Sequence, residues 1–397
     1  MVEKGKLPDQ ETPIIMRIEI EVFNSLKEAR DAWLEFQRNG CLTVFQTFEW
    51  QKNCEAHSEM EGAGKTIIVA LRAKDSSPLL LLPLFIREKW GLRILEWLGA
   101  GLVDYGAPII GSGALKGGLP EPFTDIWNKI LARIAPLDIV WLKRIPRFVH
   151  DFPNPIADLA CDPYHTEGHF AELAGEWEEF LKSRTGSKTR STRRRKARRL
   201  DEMGKISFQI TDGSDTGLLK TVSRAMVCQK RKRYVETGAP DFLSRSARAA
   251  FFTDPDPSLV QSGMLNISCL RLDGRVITAH WGMVYREKFY YYMPSFERGP
   301  WTAFSPGERL LEELFKWSFQ KGVRIFDFTI GEESYKDRWC DSTLELLQYF
   351  QAVSARATAA APLYSIYRSM IKNPSALKAA RRTKRAFWRL RRAIKPR

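Results

Sequence analysis

Three strand-like runs follow one another directly between Leu265 and Phe296, and they constrain the fold more than any other feature. They read LNISCLRL, RVITAHWGMVY and KFYYYMPSF, and all are rich in β-branched and aromatic residues. Asp273 and Gly274 separate the first two runs, and this dipeptide is typical of two-residue hairpin turns. Hairpin-linked strands pair antiparallel. With helices interspersed along the chain, the sequence predicts an α/β (α+β) fold with mixed, mostly antiparallel sheets, not a doubly wound one.

A helix begins immediately after these strands, at the sequence SPGERLLEELFKW. Ser305 suits the N-cap and Pro306 the first helical position, so capping explains both residues. Capping does not explain Gly307, because glycine in a helix costs about 1 kcal/mol relative to alanine. Free backbone N–H groups at a helix start also suit a phosphate. A plain cap and an anion site therefore both remain open.

The chain of 397 residues is long enough for two domains. A proline-rich stretch, Pro146–His165, interrupts the alternation of strand-like and helix-like runs. We expect a first lobe at residues 14–150, a linker at 151–170, a second lobe at 171–355 and a tail at 356–397. One continuous helix is predicted over Glu176–Met203, and the last strand, LELLQYFQAV, is assigned to the second lobe.

The net charge of +15 is unevenly distributed. Thirteen Lys and Arg residues and no acidic residue lie between Ser354 and Arg397, so the rest of the chain carries a net charge of +2. A general nucleic-acid binder is therefore not expected. A second basic block, Arg184–Arg199, has nine basic residues in sixteen. It is either the solvated face of a helix or the lining of a cleft for an anionic acceptor.

Several classes of protein are disfavoured by what the sequence lacks. The longest apolar run, Leu79–Ile86, is far shorter than a membrane span, and the first residues contain no apolar signal segment. The six cysteines contain no CxxC pair and suit free thiols in a reducing cytoplasm. GxSxG, HExxH, GxGxxG and Walker motifs are missing. His165 and His169 have a metal-like spacing but no third ligand nearby, so no metal is expected.

The segment FYYYMPSFERGPWTAFSPGERLLEELFKWSFQKGVRIFDFTIGEESYKDRW resembles the C-terminal core of the CelD/BcsL-type acetyltransferases. This branch of the GNAT superfamily is named for cellulose biosynthesis, and it shows a tyrosine-rich strand, an SPG helix start, a G…DF…G stretch and a YK…W stretch. Similar segments in the same order extend the resemblance over about residues 15–355. The layout is also similar to the Fem-type aminoacyltransferases. The resemblance implies tandem GNAT-like lobes followed by a basic helical tail.

The same resemblance implies acetyl-CoA, or another acyl-CoA, as co-substrate. It places the coenzyme A pyrophosphate on the helix start formed by Ser305, Pro306, Gly307, Glu308 and Arg309. Arg309 would add a charge-assisted contact. The usual GNAT turn, Q/RxxGxG/A, has two glycines where this chain has one.

Two candidates for proton transfer lie on different lobes. His280, on the strand next to the cofactor strand, has a near-neutral reference pKa and suits a general base, although a core histidine is an equal alternative. Asp104, in the glycine-flanked loop LVDYGAP, is expected to face the cleft between the lobes, with turn capping as the alternative.

Three further candidates follow the cofactor helix. Asp327 lies in the apolar strand IFDFTIG and must find partners or shift its pKa. Lys336 matches the family lysine and would neutralise a phosphate or an oxyanion, or else pair with Asp327 or Glu333. Tyr335 would protonate the leaving thiolate.

The tail carries an apolar stripe among arginines and lysines. A basic amphipathic helix over residues 362–397 suits an anionic membrane surface or a membrane synthase, and packing on an acidic patch of the body is the alternative.

These observations predict an acyl-CoA-dependent N- or O-acyltransferase, foremost an acetyltransferase. The expected acceptor is a sugar or glycolipid intermediate of envelope or exopolysaccharide biosynthesis, with direct transfer in the cytoplasm or at the inner membrane. The alternatives are a Fem-like transferase using aminoacyl-tRNA, the one case that involves a nucleic acid, and a non-catalytic accessory protein of a polysaccharide synthase.

Overall fold

The protein forms two lobes, each built on one large sheet, and the structure, a computed structural model, describes residues 18–57, 64–89, 91–358 and 361–372. The strands of the first part of the chain are β1 (Glu19–Phe23), β2 (Gly64–Arg72), β3 (Pro78–Lys89), β4 (Leu92–Trp97), β5 (Ile109–Ile110), β6 (Ile139–Pro146), β7 (Phe148–Val149), β8 (Phe152–Pro153) and β9 (Asp162–Pro163). Its helices are α1 (Leu26–Asn39), α2 (Phe48–Ala56), α3 (Ser112–Gly117) and α4 (Phe123–Ile134).

The second part of the chain continues this alternation. Its strands are β10 (Gly168–Glu172), β11 (Ile206–Thr211), β12 (Leu265–Leu272), β13 (Arg275–Tyr285), β14 (Lys288–Phe296), β15 (Ile325–Ile330), β16 (Ser342–Leu344) and β17 (Leu346–Ala352). Its helices are α5 (Trp177–Arg184), α6 (Ser187–Asp201), α7 (Thr216–Thr237), α8 (Ser246–Thr253), α9 (Pro257–Gln261), α10 (Pro306–Gln320), α11 (Lys336–Trp339), α12 (Ala355–Thr358) and α13 (Ala361–Lys372). Short 3-10 helices occupy Val44–Gln46, Pro155–Asp158 and Pro300–Phe304.

The two sheets repeat one topology. The first has the strand order β1-β2-β3-β4-β6-β17-β9 and the second has the order β11-β12-β13-β14-β15-β10-β16. In each sheet four antiparallel strands lead into a helix, α4 or α10, and then into a strand parallel to the fourth. The predicted mixed, mostly antiparallel sheets and the tandem arrangement of similar lobes are confirmed.

The predicted hairpin between β12 and β13 is present. Leu272 pairs with Arg275, so Asp273 and Gly274 alone form the turn. Their φ angles are +49° and +81°, which are the left-handed values that a two-residue hairpin of this type requires.

In both lobes the two parallel strands pair only briefly and then diverge. In the second lobe β14 and β15 pair from Lys288–Ile325 to Tyr290–Asp327. In the first lobe β4 and β6 pair only at Ile94–Ile139 and Leu95–Val140. We call the openings beyond these pairs the second wedge and the first wedge.

A bulge in β14 helps to open the second wedge. Trp281 pairs with Met293 and Met283 pairs with Tyr290, so β14 holds one extra residue between these pairs. Such an insertion bends the strand. The bend carries the C-terminal half of β14 away from β15, and this half lacks a β15 partner in the pairing of the described residues.

The prediction of one continuous helix over Glu176–Met203 is wrong. The structure contains two helices, α5 and α6, with extended backbone at Thr185 and Gly186 between them. Threonine and glycine are both poor helix formers, so the break falls where propensity is lowest. The break allows the buried Phe180 of α5 to pack on Phe315 of α10 while α6 takes its own direction.

The last strand also differs from the prediction, which placed it in the second lobe with a boundary at residue 355. β17 lies in the first sheet, between β6 and β9. Leu347 and Tyr349 are buried in the first lobe's core. Without β17, the inner edge of β6 would expose unpaired backbone groups, which accounts for its return to the first lobe.

One hydrophobic cluster spans both lobes. Trp50 of the first lobe lies 5.1 Å from Phe251 and 6.2 Å from Trp281 of the second, measured between ring centroids. The Tyr105 hydroxyl donates a 2.7 Å hydrogen bond to Asp327 across the same interface. The lobes therefore share a continuous core.

The described part of the tail packs on the first lobe. Tyr364 of α13 stacks on Phe350 with ring centroids 4.0 Å apart, and Arg368 pairs with Asp162 at 2.6 Å. For α13 the structure therefore shows packing on the body. The predicted basic amphipathic helix lies mostly beyond the described residues. None of the helices within the described ranges has the length and apolarity needed to cross a bilayer.

Candidate active site

The second wedge holds a cavity of about 520 Å³ where β14 and β15 diverge. Helix α10 begins at this cavity, and α7 and α11 close its sides. The lining residues are Gln229, Lys230, Arg233, Tyr291, Pro294, Ser295, Phe296, Gly307, Glu308, Leu310, Leu311, Glu333, Tyr335 and Trp339. The predicted site residues Gly307, Glu308 and Tyr335 therefore lie together on one cavity.

The start of α10 differs from the predicted cap. Ser305 has φ and ψ of 55°, the left-handed conformation, and its side chain does not cap the helix. The Ser305 hydroxyl instead accepts a 2.8 Å hydrogen bond from Lys196 of α6. Pro306 occupies the first turn of the helix as predicted. The N-cap role of Ser305 is thus corrected, because this backbone conformation turns its Oγ toward α6.

Gly307 faces open space. A Cβ placed on this residue would meet no atom within 4 Å, and the Gly307 backbone is helical. Neither packing nor backbone conformation therefore requires glycine here. A group that approaches the backbone N–H groups from the cavity would require it.

The basic block is divided between several partners. Arg193 packs over Trp339, with its guanidinium 4.6 Å from the ring centroid, and pairs with Glu312 of α10 at 3.1 Å. Arg184 pairs with Asp341, and Lys196 reaches Ser305. The block is therefore not a uniform solvated face, because part of it adds positive charge beside the start of α10.

Arg309 does not reach the main cavity. Its guanidinium pairs with Glu313 one turn further along α10, at 3.2 Å. Together with Ser305 and Glu308 it lines a small cavity toward α6, which Arg193 and Lys196 also line. Its predicted contact with a pyrophosphate stays a prediction.

Tyr335 is the one predicted catalytic residue that lines the main cavity. Burial raises the pKa of its hydroxyl well above the usual value of 10, and Tyr291 and Glu333 raise it further. The phenol therefore stays protonated at neutral pH. It is suited to donating a proton or hydrogen bond to a developing anion.

Lys230, on α7, also lines the cavity, although it belongs to no recognisable sequence motif. Burial lowers the pKa of its amine to about 8, although nearby Glu333 raises it. A lysine with this pKa is partly neutral near physiological pH and suits a general base. The segment QKRKRY does not predict which of its basic residues is functional, because only the fold shows which side of α7 faces the cavity.

His280 is fully buried behind β14. Its ring stacks on Tyr291 with centroids 4.6 Å apart, and its Nδ1 lies 3.3 Å from the Ser268 hydroxyl. Burial lowers its pKa to about 3, and Lys230 lowers it further. It is not among the residues that line the cavity. The alternative of a core histidine fits this position better than the predicted base does.

Asp327 lies in the interface between the lobes. It accepts hydrogen bonds from the Tyr105 hydroxyl at 2.7 Å and from the Thr329 amide at 2.8 Å. Lys288 lies 3.9 Å away. Burial raises its pKa, and these partners oppose the shift. The predicted need for partners is met, and these contacts fasten the two lobes together.

Asp104 contacts the second lobe from the first, but it is buried and lines neither cavity, so the predicted position facing an open cleft stays a prediction. Its carboxylate accepts a 2.9 Å hydrogen bond from Arg144 and is hydrogen-bonded to the side chain of Thr329. Burial raises its pKa to about 6, although Arg144 lowers it. This carboxylate lies between the two wedges.

Lys336 is buried at the start of α11. Its ammonium donates a 3.0 Å hydrogen bond to the carbonyl of Ile330 and pairs with Glu333 at 3.1 Å. These contacts hold the loop after β15, which carries Glu333 and Tyr335 into the cavity. The ion-pair alternative with Glu333 is therefore the one that the geometry shows.

The described residues contain no group of three or more His, Cys, Asp or Glu side chains that could hold a metal ion. The titratable side chains that line the cavity include Lys230, Glu333 and Tyr335.

Comparisons with known proteins agree with this geometry. Residues 187–337 match the model of the family described as an acetyltransferase (GNAT) domain. The match begins at α6 and ends in α11, and so includes the whole cavity wall formed by α7, β14 and α10. Residues 187–337 thus match a GNAT acetyltransferase domain, and a domain of this kind implies use of an acyl-CoA.

Solved structures resemble the whole two-lobed chain. FemX has a TM-score of 0.55 at 11% identity, and the match covers 88% of this chain and 100% of that one. The C-terminal domain of a candidate lysylphosphatidylglycerol synthetase from Agrobacterium fabrum has a TM-score of 0.51 at 12% identity. This match covers 86% of this chain and 97% of that one. At such identities the similarity concerns the fold alone. No curated protein matches the sequence.

Proposed function

We propose that the protein transfers an acyl group, foremost acetyl, from coenzyme A to a hydroxyl or amine of a sugar or glycolipid in envelope or exopolysaccharide biosynthesis. The start of α10 at the second wedge, with Gly307 open to the cavity, carries this proposal. The resemblance to the CelD/BcsL-type family supplies the acceptor class.

The cavity has the features that an acyl-CoA needs. The Gly307 N–H and the positive end of the α10 dipole suit the pyrophosphate, and Lys196 adds positive charge beside them. The edge of β14 beyond Tyr290 offers backbone groups to the pantetheine amides, in the manner of an added strand. The apolar walls, including Tyr291 and Trp339, suit the thioester arm.

Direct transfer is the mechanism that these side chains support. Lys230 would take the proton of the acceptor, and its pKa of about 8 leaves about a tenth of it neutral at pH 7. The acceptor oxygen or nitrogen attacks the thioester carbonyl, and the carbon–sulfur bond breaks. Tyr335, held protonated, would donate to the departing thiolate.

Calorimetric titration with acetyl-CoA and with desulfo-CoA tests the binding site. Both should bind with one-to-one stoichiometry and raise the melting temperature. Absence of heat and of any thermal shift would favour the accessory-protein alternative. Labelled acetyl that stays on the protein after incubation without an acceptor would overturn direct transfer.

A transferase that uses aminoacyl-tRNA is the alternative enzyme, and the fold similarity to FemX is compatible with it. Competition separates the two donors. Under the coenzyme A proposal, unlabelled aminoacyl-tRNA leaves acetyl-CoA binding unchanged. Displacement of acetyl-CoA by charged tRNA, but not by uncharged tRNA, would support the alternative.

The tail is proposed to bring the enzyme to an anionic membrane surface or to a membrane synthase. Thirteen Lys and Arg residues and no acidic residue between Ser354 and Arg397 support this role. Cosedimentation with vesicles that contain phosphatidylglycerol tests it. Because α13 packs on the first lobe through Tyr364 and Arg368, the truncation should remove residues 373–397 only.

A further inference from the structure

The first wedge, like the second, contains a cavity. Its volume is about 400 Å³, and it opens beyond the last parallel pair of β4 and β6. The lining residues are Arg87, Glu88, Lys89, Glu96, Trp97, Ala100, Gly101, Val103, Trp141, Lys143, Arg144, Tyr164, Arg245 and Arg248. Because Arg245 and Arg248 come from the second lobe, the cavity is completed across the interface.

Cations dominate this lining. Six of the side chains are Lys or Arg and two are Glu. Arg87 donates a 2.6 Å hydrogen bond to Glu96, so one acidic group is already engaged. Arg144 is paired with Asp104 outside the lining, but the balance of charge among the lining residues is positive, and a positive concave site attracts an anion.

The surroundings of Lys143 also indicate that this cavity binds an anion. Its ammonium lies 3.4 Å from the centroid of the Trp141 ring. Burial lowers its pKa to about 8, and Arg144, Lys89 and Arg87 lower it further, against the opposing effect of Glu96. Within the described ranges Lys143 has no carboxylate at ion-pair distance. A partly buried cation of this kind is stabilised by an anionic ligand.

The two cavities also differ in whether the start of a helix lines them. In the second wedge, residues from the first turn of α10 line the cavity. No residue of the corresponding helix, α4, lines the cavity of the first wedge within the described residues. Side-chain cations occupy the site where backbone N–H groups would otherwise face an anion.

We propose that the first wedge binds the phosphate ester of the acceptor, with Lys143, Arg144 and Arg248 around the phosphate. This inference rests on the proposed function, because it names the acceptor of the acyl group as a phosphorylated sugar or lipid. Arginine forks suit phosphate oxygens.

Contacts connect this cavity with the acyl site. Arg144 holds Asp104, and Asp104 is hydrogen-bonded to Thr329 of β15. Lys336, six residues beyond Ile330 at the end of β15, holds Glu333 at the edge of the acyl cavity. These contacts fasten Asp104, the partner of Arg144, to β15, and so relate the cationic cavity to the lobe that contains the acyl site.

The test uses the full chain saturated with desulfo-CoA, so that the second wedge is occupied. Inorganic pyrophosphate is then titrated into the wild type and into Lys143→Gln. We expect binding to the wild type and a loss of at least about tenfold in affinity in the variant. Lys230→Gln is the matched control, because its lysine has the same lowered pKa but lies in the other wedge. This control should bind pyrophosphate like the wild type.

Equal pyrophosphate affinity in the wild type and in Lys143→Gln would overturn the proposal, and so would absence of binding to the wild type. If Lys143→Gln does not fold, Arg248→Gln on the second lobe replaces it with the same expectations. Failure of desulfo-CoA to bind, while the Lys143-dependent pyrophosphate site persists, would refute the proposed function and leave this anion site standing.

Two further arms distinguish the source of the phosphate. Glucose 1-phosphate represents a soluble sugar phosphate, and vesicles of phosphatidylcholine with phosphatidic acid represent a lipid phosphate. Lys143-dependent binding of either supports the site and identifies the source. Vesicle binding that Lys143→Gln leaves unchanged is assigned to the tail and counts against a lipid acceptor in the wedge.

Discussion

The two wedges have the same topology and opposite chemistry. Each opens where a parallel strand pair diverges, at Tyr290–Asp327 in the second lobe and at Leu95–Val140 in the first. The second is lined largely by apolar groups and the start of a helix, and the first by six Lys and Arg side chains. The repeat therefore provides an opening twice, and the side chains decide what each opening can bind.

Polar side chains join the two lobes at their interface. Asp104 and Tyr105 are consecutive residues of the first lobe, and they contact Thr329 and Asp327 of β15. Strand β15, which precedes the loop that carries Glu333 and Tyr335 into the acyl cavity, is thus fastened directly to the loop of Asp104 and Tyr105. None of these four contacting residues is among those that line either cavity.

The largest expected effect comes from filling the space at Gly307. In Gly307→Val the branched side chain projects into the cavity and blocks the helix start, because nothing else lies within 4 Å of the Cβ position. We expect a loss of at least about 100-fold in kcat/KM for acetyl-CoA, roughly 3 kcal/mol. Pyrophosphate binding in the first wedge should not change. Steady-state kinetics and calorimetry measure the two effects.

Gly217 is a matched control, because it occupies the same position in the first turn of α7, one residue after the helix begins. A Cβ there would meet only the Asp215 carboxylate, at 3.4 Å. Gly217→Val should leave the kinetics unchanged. Equal losses in both variants would show that Gly307 matters for the helix and not for the ligand.

A smaller effect is expected for Tyr335→Phe, which removes one hydroxyl from the acyl cavity and leaves the ring in place. We expect kcat to fall about 10- to 100-fold, with little change in the affinity for acetyl-CoA, because the hydroxyl acts on the leaving thiolate. An acyl donor with a more acidic thiol should recover part of the rate. Tyr349→Phe, on the first lobe's β17, is the control. A fall in affinity alone would assign Tyr335 to binding.

The bridge between the wedges can be weakened with Tyr105→Phe. This variant deletes the hydroxyl that donates to the buried Asp327 and leaves Thr329 as its remaining close donor. We expect the free energy of unfolding to fall by about 1–2 kcal/mol in urea titrations, because a buried carboxylate loses a hydrogen bond. An unchanged midpoint would mean that the lobes do not depend on this contact.

The second wedge could be predicted from the sequence, and the first could not. The Asp273–Gly274 dipeptide predicted the hairpin, and Ser305 and Pro306 predicted the start of α10. Gly307, which capping does not explain, indicated a binding site there. The cations of the first wedge are spread from Arg87 to Arg248 in sequence, and none of them lies in a basic run that would have drawn attention. Only the pairing of β4 with β6 and the packing of α8 bring them together.

Two other features also depended on tertiary structure. β17 has the pattern of a strand, but pattern does not say which sheet a strand joins, and its partner β6 lies some two hundred residues earlier. Lys230 belongs to a helix with basic residues on several sides, so only the packing of α7 beside β14 shows which one faces the cavity. Propensity and periodicity describe segments, whereas these features depend on long-range pairs.

The smallest effect is expected for His280, and it tests whether this histidine is a core residue or part of the active site. Its pKa is about 3 in the folded protein and near 6.5 when unfolded, so the fold disfavours the protonated form. Its neutral form contributes full stability above pH 6.5, and this contribution is lost as the pH falls toward 3. Relative to His280→Gln, the wild type should lose about 1 kcal/mol of unfolding free energy between pH 6.5 and 5.5. The variant should retain most activity, because Lys230 and not His280 faces the acceptor; a loss of kcat as large as that of Lys230→Gln would return His280 to the active site.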